Sequence, residues 1–182
     1  MKIILPKTFY EKKDDLPVFF LAGPVRGGDD WQQACCREIQ KYISDFYIAI
    51  PYYHKELSED HPFIALRVMG DENYFERQLN WERYYLDLAS TNGCVIFWLP
   101  VESTINPRIG GGPYATDTRG ELGEWRGRLM NNPKLKVVVG GDADFISMSQ
   151  IERNFKLAVR PDFPIYATLA ETVKAAVVLA QE

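Results

Sequence analysis

The feature that most constrains this chain is a set of short runs that stay apolar at every position. Val18-Phe19-Phe20-Leu21-Ala22 and Cys94-Val95-Ile96-Phe97-Trp98-Leu99 contain no polar alternation, and Tyr47-Ile48-Ala49-Ile50 and Val137-Val138-Val139 repeat the pattern. A strand with one solvated face alternates, whereas a strand apolar throughout belongs to a sheet covered on both faces. Helical patterns separate these runs. Asp29 or Asp30 can cap a helix over 31–45, with Gln32 or Gln33 at its third position, and a second helix is expected over 73–89. A third helix runs over 118–130, a fourth over 149–158, and Thr168-Leu169-Ala170-Glu171 opens a last one to 179 as a capping box. Pro164-Ile165-Tyr166 supplies a short fifth strand.

Strand and helix thus alternate five times, and each crossover that contains a helix sets consecutive strands parallel. The fold class is α/β: a doubly wound, five-stranded parallel sheet of flavodoxin-like, Rossmann-like type, ordered 2-1-3-4-5, with helices on both faces. Residues 1–16, which include Glu11-Lys12-Lys13-Asp14-Asp15, read as an N-terminal arm with a short edge strand at Ile3-Ile4-Leu5. Residues 17–182 read as one domain, a size that buries a real core. Ligands of such sheets bind beyond the carboxyl ends of the strands, at the switch between the first and third. Unusual loops leave both of those ends: 23–30, beginning Gly23-Pro24-Val25-Arg26, and 101–117, which holds Gly110-Gly111-Gly112-Pro113.

Composition excludes some partners. A net charge of −4 argues against a nucleic-acid backbone or an anionic membrane, which need clustered positive surface. No apolar run reaches the length of a membrane span, and the opening Met1-Lys2-Ile3-Ile4-Leu5-Pro6 does not read as a signal peptide. Three cysteines, two of them adjacent, suggest reduced thiols, and a cytoplasmic setting is expected. His54 and His61 match no metal spacing and no Cys/His cluster exists, so neither a metal nor another cofactor is expected. The 23–28 loop lacks the glycine spacing of a dinucleotide fingerprint, and it has no Gly-Lys-Ser/Thr. Asp29 and Asp30 stand where an anion would approach the helix, which disfavours a phosphorylated ligand, with Arg26 as the dissenting residue.

Three acidic positions compete between structural and chemical readings. Glu121 closes Thr118-Arg119-Gly120-Glu121, itself a capping box, yet it also falls in a first helical turn at the ligand end of the sheet. A carboxylate there is held ionised by the helix dipole, which suits a nucleophile. Asp87 precedes the third strand; it either pairs with Arg83 four residues back or faces the switch point. Glu82 shares a stripe with Phe75, Leu79, Leu86 and Ala89, so it is either a core-edge residue satisfied by an amide or an arginine, or functional.

With these residues assembled, the chain resembles the nucleoside 2-deoxyribosyltransferase-like family. The likeness rests on Val18-Phe19-Phe20-Leu21-Ala22-Gly23-Pro24 with Trp31, on Trp81-Glu82, Asp87 and Phe97-Trp98-Leu99-Pro100, and on Thr118-Arg119-Gly120-Glu121-Leu122-Gly123. The resemblance implies that Glu121 attacks C1′ of a 2-deoxynucleoside, the base departs, and a free nucleobase takes the sugar from the covalent glutamyl ester. It implies that Asp87 contacts and helps protonate the base, and that Asp117 helps hold the sugar, across a shorter Asp-to-Glu spacing than in the better-known members. Gly23, Pro24, Arg26, Trp81 and Glu82 complete the expected substrate-binding set, with Trp81 or Tyr85 placed either to stack on the base or to fill the core. A homo-oligomer is also implied. The alternatives are an N-glycosidase that hands the sugar to water, acting on a nucleoside or nucleotide, and a non-catalytic nucleotide-binding module.

Overall fold

A computed structural model describes residues 1–52, 57–110 and 112–182. Among these, six strands form one all-parallel sheet: β1 (Lys2–Ile4), β2 (Val18–Ala22), β3 (Tyr47–Ala49), β4 (Gly93–Leu99), β5 (Val137–Gly141) and β6 (Ile165–Tyr166). Their order is β1-β3-β2-β4-β5-β6. The last five of these in space reproduce the expected 2-1-3-4-5 order, and β1 adds the strand that makes six rather than five. The helices are α1 (Trp31–Ile39), α2 (Pro62–Ala65), α3 (Gln78–Asn92), α4 (Thr116–Asn131), α5 (Met148–Ala158) and α6 (Leu169–Gln181).

The uninterrupted apolar runs have the predicted cause. Along β2, Val18, Phe20 and Ala22 join a core layer with Trp81, Tyr85, Leu122, Trp125 and Phe155, under α3, α4 and α5. Phe19 and Leu21 join the opposite layer, with Trp31, Cys35, Ile39, Val173 and Ala176 under α1 and α6. Successive side chains of a strand point to opposite faces, so both faces must be apolar. Burial pushes all three cysteine thiols above their ordinary range, Cys36 up to about 12. Close approach fixes Gly93, where an added Cβ would lie 2.0 Å from the Val18 carbonyl oxygen.

Segment 1–16 is built into the sheet rather than hung from it. Ile3 and Ile4 are buried, β1 runs parallel to β3, and its other edge bridges to Arg67 through Ile3 N–H to Leu66 O at 2.9 Å and Val68 N–H to Ile3 O at 2.8 Å. Thr8 then offers its carbonyl to the Trp81 indole and to the Tyr85 hydroxyl, both at 3.1 Å.

Helix boundaries moved where tertiary contacts overrode local pattern. α1 stops at Ile39 instead of 45, and the chain leaves it in turns closed by Lys41 N–H to Glu38 O and Tyr42 N–H to Ile39 O. α3 starts at Gln78, since Arg77 is extended and Phe75 turns its ring into a cluster with Phe9, Tyr74, Tyr84 and Tyr85. Its buried stripe is Trp81, Tyr85, Leu86 and Ala89, while Leu79 is 56% exposed.

Candidate active site

β2 and β4 are neighbours whose chains leave in opposite directions, toward β3 and β5, so the switch point lies between their carboxyl ends. A crevice of about 620 Å³ opens there, a volume that suits a ligand of nucleoside size. Phe20, Gly23, Pro24 and Pro51 form part of its lining, Gln78, Leu79 and Glu82 come from α3, and Ala115, Asp117, Gly120 and Glu121 come from the start of α4. Arg26 and Arg108 enter from the loops after β2 and β4. A second depression of about 430 Å³ beside β6 and α6 lies away from the switch point and is lined mainly by apolar residues such as Val137, Val138, Tyr166 and Val178, with Arg160, Glu171, Lys174 and Glu182 among them. The crevice is therefore the place where chemistry can be built.

The loop after β2 is shaped by one tryptophan. The Trp31 indole N–H donates to Pro24 O at 2.9 Å from inside the core, and Gly23 is pressed so close that a Cβ would meet Trp98 O at 2.4 Å and the Trp31 ring at 2.7 Å. No residue but glycine fits at that φ of +158° with those neighbours. The same holds at Gly27, φ +77°, where Ser103 N–H donates to the Gly27 carbonyl at 2.6 Å and locks the two ligand-end loops together.

α4 begins earlier than its sequence suggests. Ala115, in the left-handed region at φ 57°, precedes it with no side-chain cap, and Thr116 and Asp117 form the first turn. Thr118 lies inside the helix and is buried, so Thr118 and Glu121 are not a capping box. Glu121 falls in the second turn, beyond the reach of the dipole's strongest effect. Its carboxyl, expected to be held ionised, is instead pushed up to about 7, first by burial and then by the charges of Glu82, Asp117 and Glu124. Glu82 is likewise raised by burial and by Asp117, against the lowering effect of the Gln78 amide, whose Nε2 donates to Glu82 Oε1 at 2.8 Å. Two half-buried carboxyls with Asp117 beside them resist simultaneous ionisation, as like charges sharing one site do.

The predicted residues divide cleanly. Gly23, Pro24, Arg26, Glu82, Asp117 and Glu121 meet in the crevice. Asp87 does not. It sits toward the carboxyl end of α3, at the far end of a groove between α3 and α4, with its carboxylate paired to Arg128 rather than to Arg83, which faces Glu124 at 3.7 Å. An antiparallel crossover helix carries its amino end to the ligand edge of the sheet, so nine residues into α3 the chain has already descended away from it. Trp81 and Tyr85 are also absent from the lining. Both are fully buried, and Trp81 packs against the Phe20 ring at 5.9 Å. Asp29 and Asp30 do not line the crevice either; the Asp30 carboxylate turns back to accept from Gln33 N–H and cap α1. Asp30 thus holds the helix N-terminus that an anion would approach, as expected. Gln78 and Arg108 went unnoticed in the sequence, although Gln78 stands four residues before Glu82, the spacing at which helix side chains meet. Of the two histidines, His61 caps the short α2 by accepting from Phe63 N–H at 3.2 Å, and His54 lies outside the described residues. Among the described residues no group of three or more His, Cys, Asp or Glu is placed to hold a metal ion, and no helix is long and apolar enough to cross a membrane.

No model of a known protein family matches the chain, and no curated protein matches it significantly.

Proposed function

We propose that this protein cleaves the N-glycosidic bond of a 2-deoxynucleoside and passes the deoxyribosyl group to a second nucleobase through an ester on Glu121. The observation that carries the reading is the convergence of Glu121, Glu82 and Asp117 in one crevice at the switch point. Departure of a base leaves an oxocarbenium-like sugar, so the reaction wants a carboxylate against C1′ and an acid at the leaving nitrogen. In the proposed cycle the Glu121 oxygen bonds to C1′ as the C1′–N bond breaks, and the leaving base takes a proton from Glu82. The incoming base then attacks C1′, expels the Glu121 carboxylate and returns the proton to Glu82. Glu82 replaces Asp87 as the acid, because Glu82 lines the crevice and Asp87 is held in an ion pair outside it. Gln78 fixes one Glu82 oxygen and leaves the other for the base. Asp117 supplies negative charge beside the sugar.

A second reading, transfer to water, draws on the small groove of about 100 Å³ between α3 and α4, which shares Leu79, Glu82 and Glu121 with the crevice and has room for water beside both carboxyls. Incubation with deoxyinosine and adenine separates the two. Transfer yields deoxyadenosine, and hydrolysis yields hypoxanthine with free deoxyribose. Both products should vanish in Glu121→Ala, and exchange that persists undiminished in that variant contradicts the assigned nucleophile.

A further inference from the structure

We infer that residues 7–10 of the amino-terminal segment form a clamp that sets the roll of α3 and so presents Glu82 to the crevice beside Glu121. This rests on the nucleoside-cleaving reading, in which Glu82 is the acid, and deepens it by naming the residues that position that acid.

The clamp grips α3 on three residues of one stripe. The Thr8 carbonyl accepts from the Trp81 indole and from the Tyr85 hydroxyl, both at 3.1 Å, and the same hydroxyl accepts from Tyr10 N–H at 3.0 Å. The Phe9 ring stands edge-on to Tyr84, with centroids 5.7 Å apart. Trp81, Tyr84 and Tyr85 follow the three- and four-residue spacing at which side chains share a helix face. Trp81 and Tyr85 are fully buried, so their donors have no water to turn to, and rolling the helix would break both bonds at once. Glu82 is the next residue after Trp81, about 100° further round the helix. Its place on the flank toward α4 is therefore set by where Trp81 points. Trp81 also packs on the Phe20 ring, 5.9 Å away, and Phe20 lines the crevice.

The clamp is itself held from behind. Phe9 exchanges both backbone hydrogen bonds with Asp71, its N–H donating at 2.9 Å and its carbonyl accepting at 3.0 Å. Its ring stacks on Tyr74 at 4.2 Å, and Gly70 lies so close to Phe9 O that no Cβ fits between them. The chain reaches this position through a tight turn, Thr8 N–H to Leu5 O at 3.2 Å, with Pro6 second and Lys7 third. Lys7 stands in the left-handed region at φ 65°, a place where such a turn favours glycine. Its side chain is exposed, so the backbone is held there by β1 before it and by the Asp71 bridge after it. Left-handed residues other than glycine persist where their surroundings impose them, and they gather at functional sites. Here the strained turn aims the Thr8 carbonyl at α3.

The test is Tyr85→Phe, which keeps the ring and deletes one donor, read by carbon-13 NMR titration of the Glu121 carboxyl, assigned by its loss in Glu121→Gln. Glu82, Asp117 and Glu124 are the charges that raise Glu121, with Glu82 first among them. In the unmodified protein the midpoint is expected at about 7. Freeing the roll of α3 draws Glu82 away, and the midpoint should fall by roughly 0.5 or more on the pH scale. Lys7→Ile touches neither α3 nor the crevice but sets a β-branched residue at positive φ, and it should lower the midpoint likewise. Lys7→Gly, which relieves the strain and keeps the turn, should leave it unmoved. In steady-state assays Tyr85→Phe should lower kcat roughly tenfold or more with KM held within about twofold, and that loss should vanish in the Glu82→Gln background. An unmoved midpoint in Tyr85→Phe or in Lys7→Ile overturns the inference, and so does a kcat loss that persists undiminished beside Glu82→Gln. An equal fall in Lys7→Gly overturns the part given to the turn. Should Tyr85→Phe fail to fold, Lys7→Ile alone decides. The titration needs no turnover, which separates the clamp from the parent reading. A falling midpoint with no release of base by the unmodified protein removes the proposed reaction and keeps the clamp. Release of base with an unmoved midpoint keeps the reaction and removes the clamp.

Discussion

Glu121 is costly to the fold in the place where it stands. An acid whose folded pKa is raised from 4.5 to about 7 contributes no penalty while protonated in both states, and stability is lost as pH rises from the lower value through the higher. Glu121→Gln is therefore expected to be more stable than the unmodified protein at pH 8, by roughly 1–2 kcal/mol once solvent access to the crevice is allowed for. The gap should close below about pH 4.5, where both carry a neutral side chain. Urea denaturation at the two pH values measures it, and an equal gap at both would show that the shift is not the cause. The position of Glu121 was legible in the sequence as a carboxylate at the ligand end of the sheet, but its ionisation was not. A dipole is a local property that a sequence displays, whereas burial between α3 and α4 and the company of Glu82 are set by contacts across 39 residues of chain.

At the scale of elements, α3 decides which acid can act. The sequence placed both Glu82 and Asp87 on this helix, and only its direction separates them. The amino end, with Gln78 and Glu82, reaches the crevice, and the carboxyl end carries Asp87 to the ion pair with Arg128. Glu82→Gln is expected to lower kcat/KM by about 10²- to 10⁴-fold, the usual worth of a positioned acid. It should also lower the apparent pKa of Glu121, by removing the largest charge acting on it. Asp87→Ala removes an exposed pair worth at most about 1 kcal/mol, and is expected to change kcat/KM by no more than a few-fold. The reverse ranking in steady-state assays would restore the assignment implied by the family resemblance. A period of 3.6 residues foretold that α3 is a helix, but its phase came from rings that the pattern could not weigh. Trp81 and Tyr85 turn inward to reach Thr8 O, and that leaves Leu79 half in solvent and Glu82 on the flank toward α4.

Taken as a whole, the molecule was most readable where it repeats. Apolar runs, crossover helices and turn residues foretold the parallel sheet and its order from β2 onward, because those signals are local and recur. β1 was legible as well, as a short edge strand at Ile3-Ile4-Leu5, and it takes the outer edge of the sheet beside β3; the count of five had left it out of the sheet. Residues 1–16 hold up more than an edge. Deleting them would uncover β3 and leave the buried Trp81 indole and Tyr85 hydroxyl without the acceptor they share. A buried polar group left unsatisfied costs about 1–3 kcal/mol, and loss of the Ile3 and Ile4 side chains adds to that. The truncated chain is expected to lose its cooperative thermal transition, and a truncation that melts like the full chain would return the segment to the status of an arm.

The proposed transfer requires a covalent bond between Glu121 and C1′ of the sugar. The direct measurement is intact-protein mass spectrometry after rapid acid quench of the protein with a 2-fluoro-2-deoxynucleoside, whose electron-poor sugar slows release of an ester, followed by peptide mapping. The prediction is a single added glycosyl mass on the peptide containing Glu121, lost on adding a free nucleobase and absent from Glu121→Gln. A modified peptide containing Glu82 instead, or base release with no adduct while Glu121→Gln stays active, would contradict it.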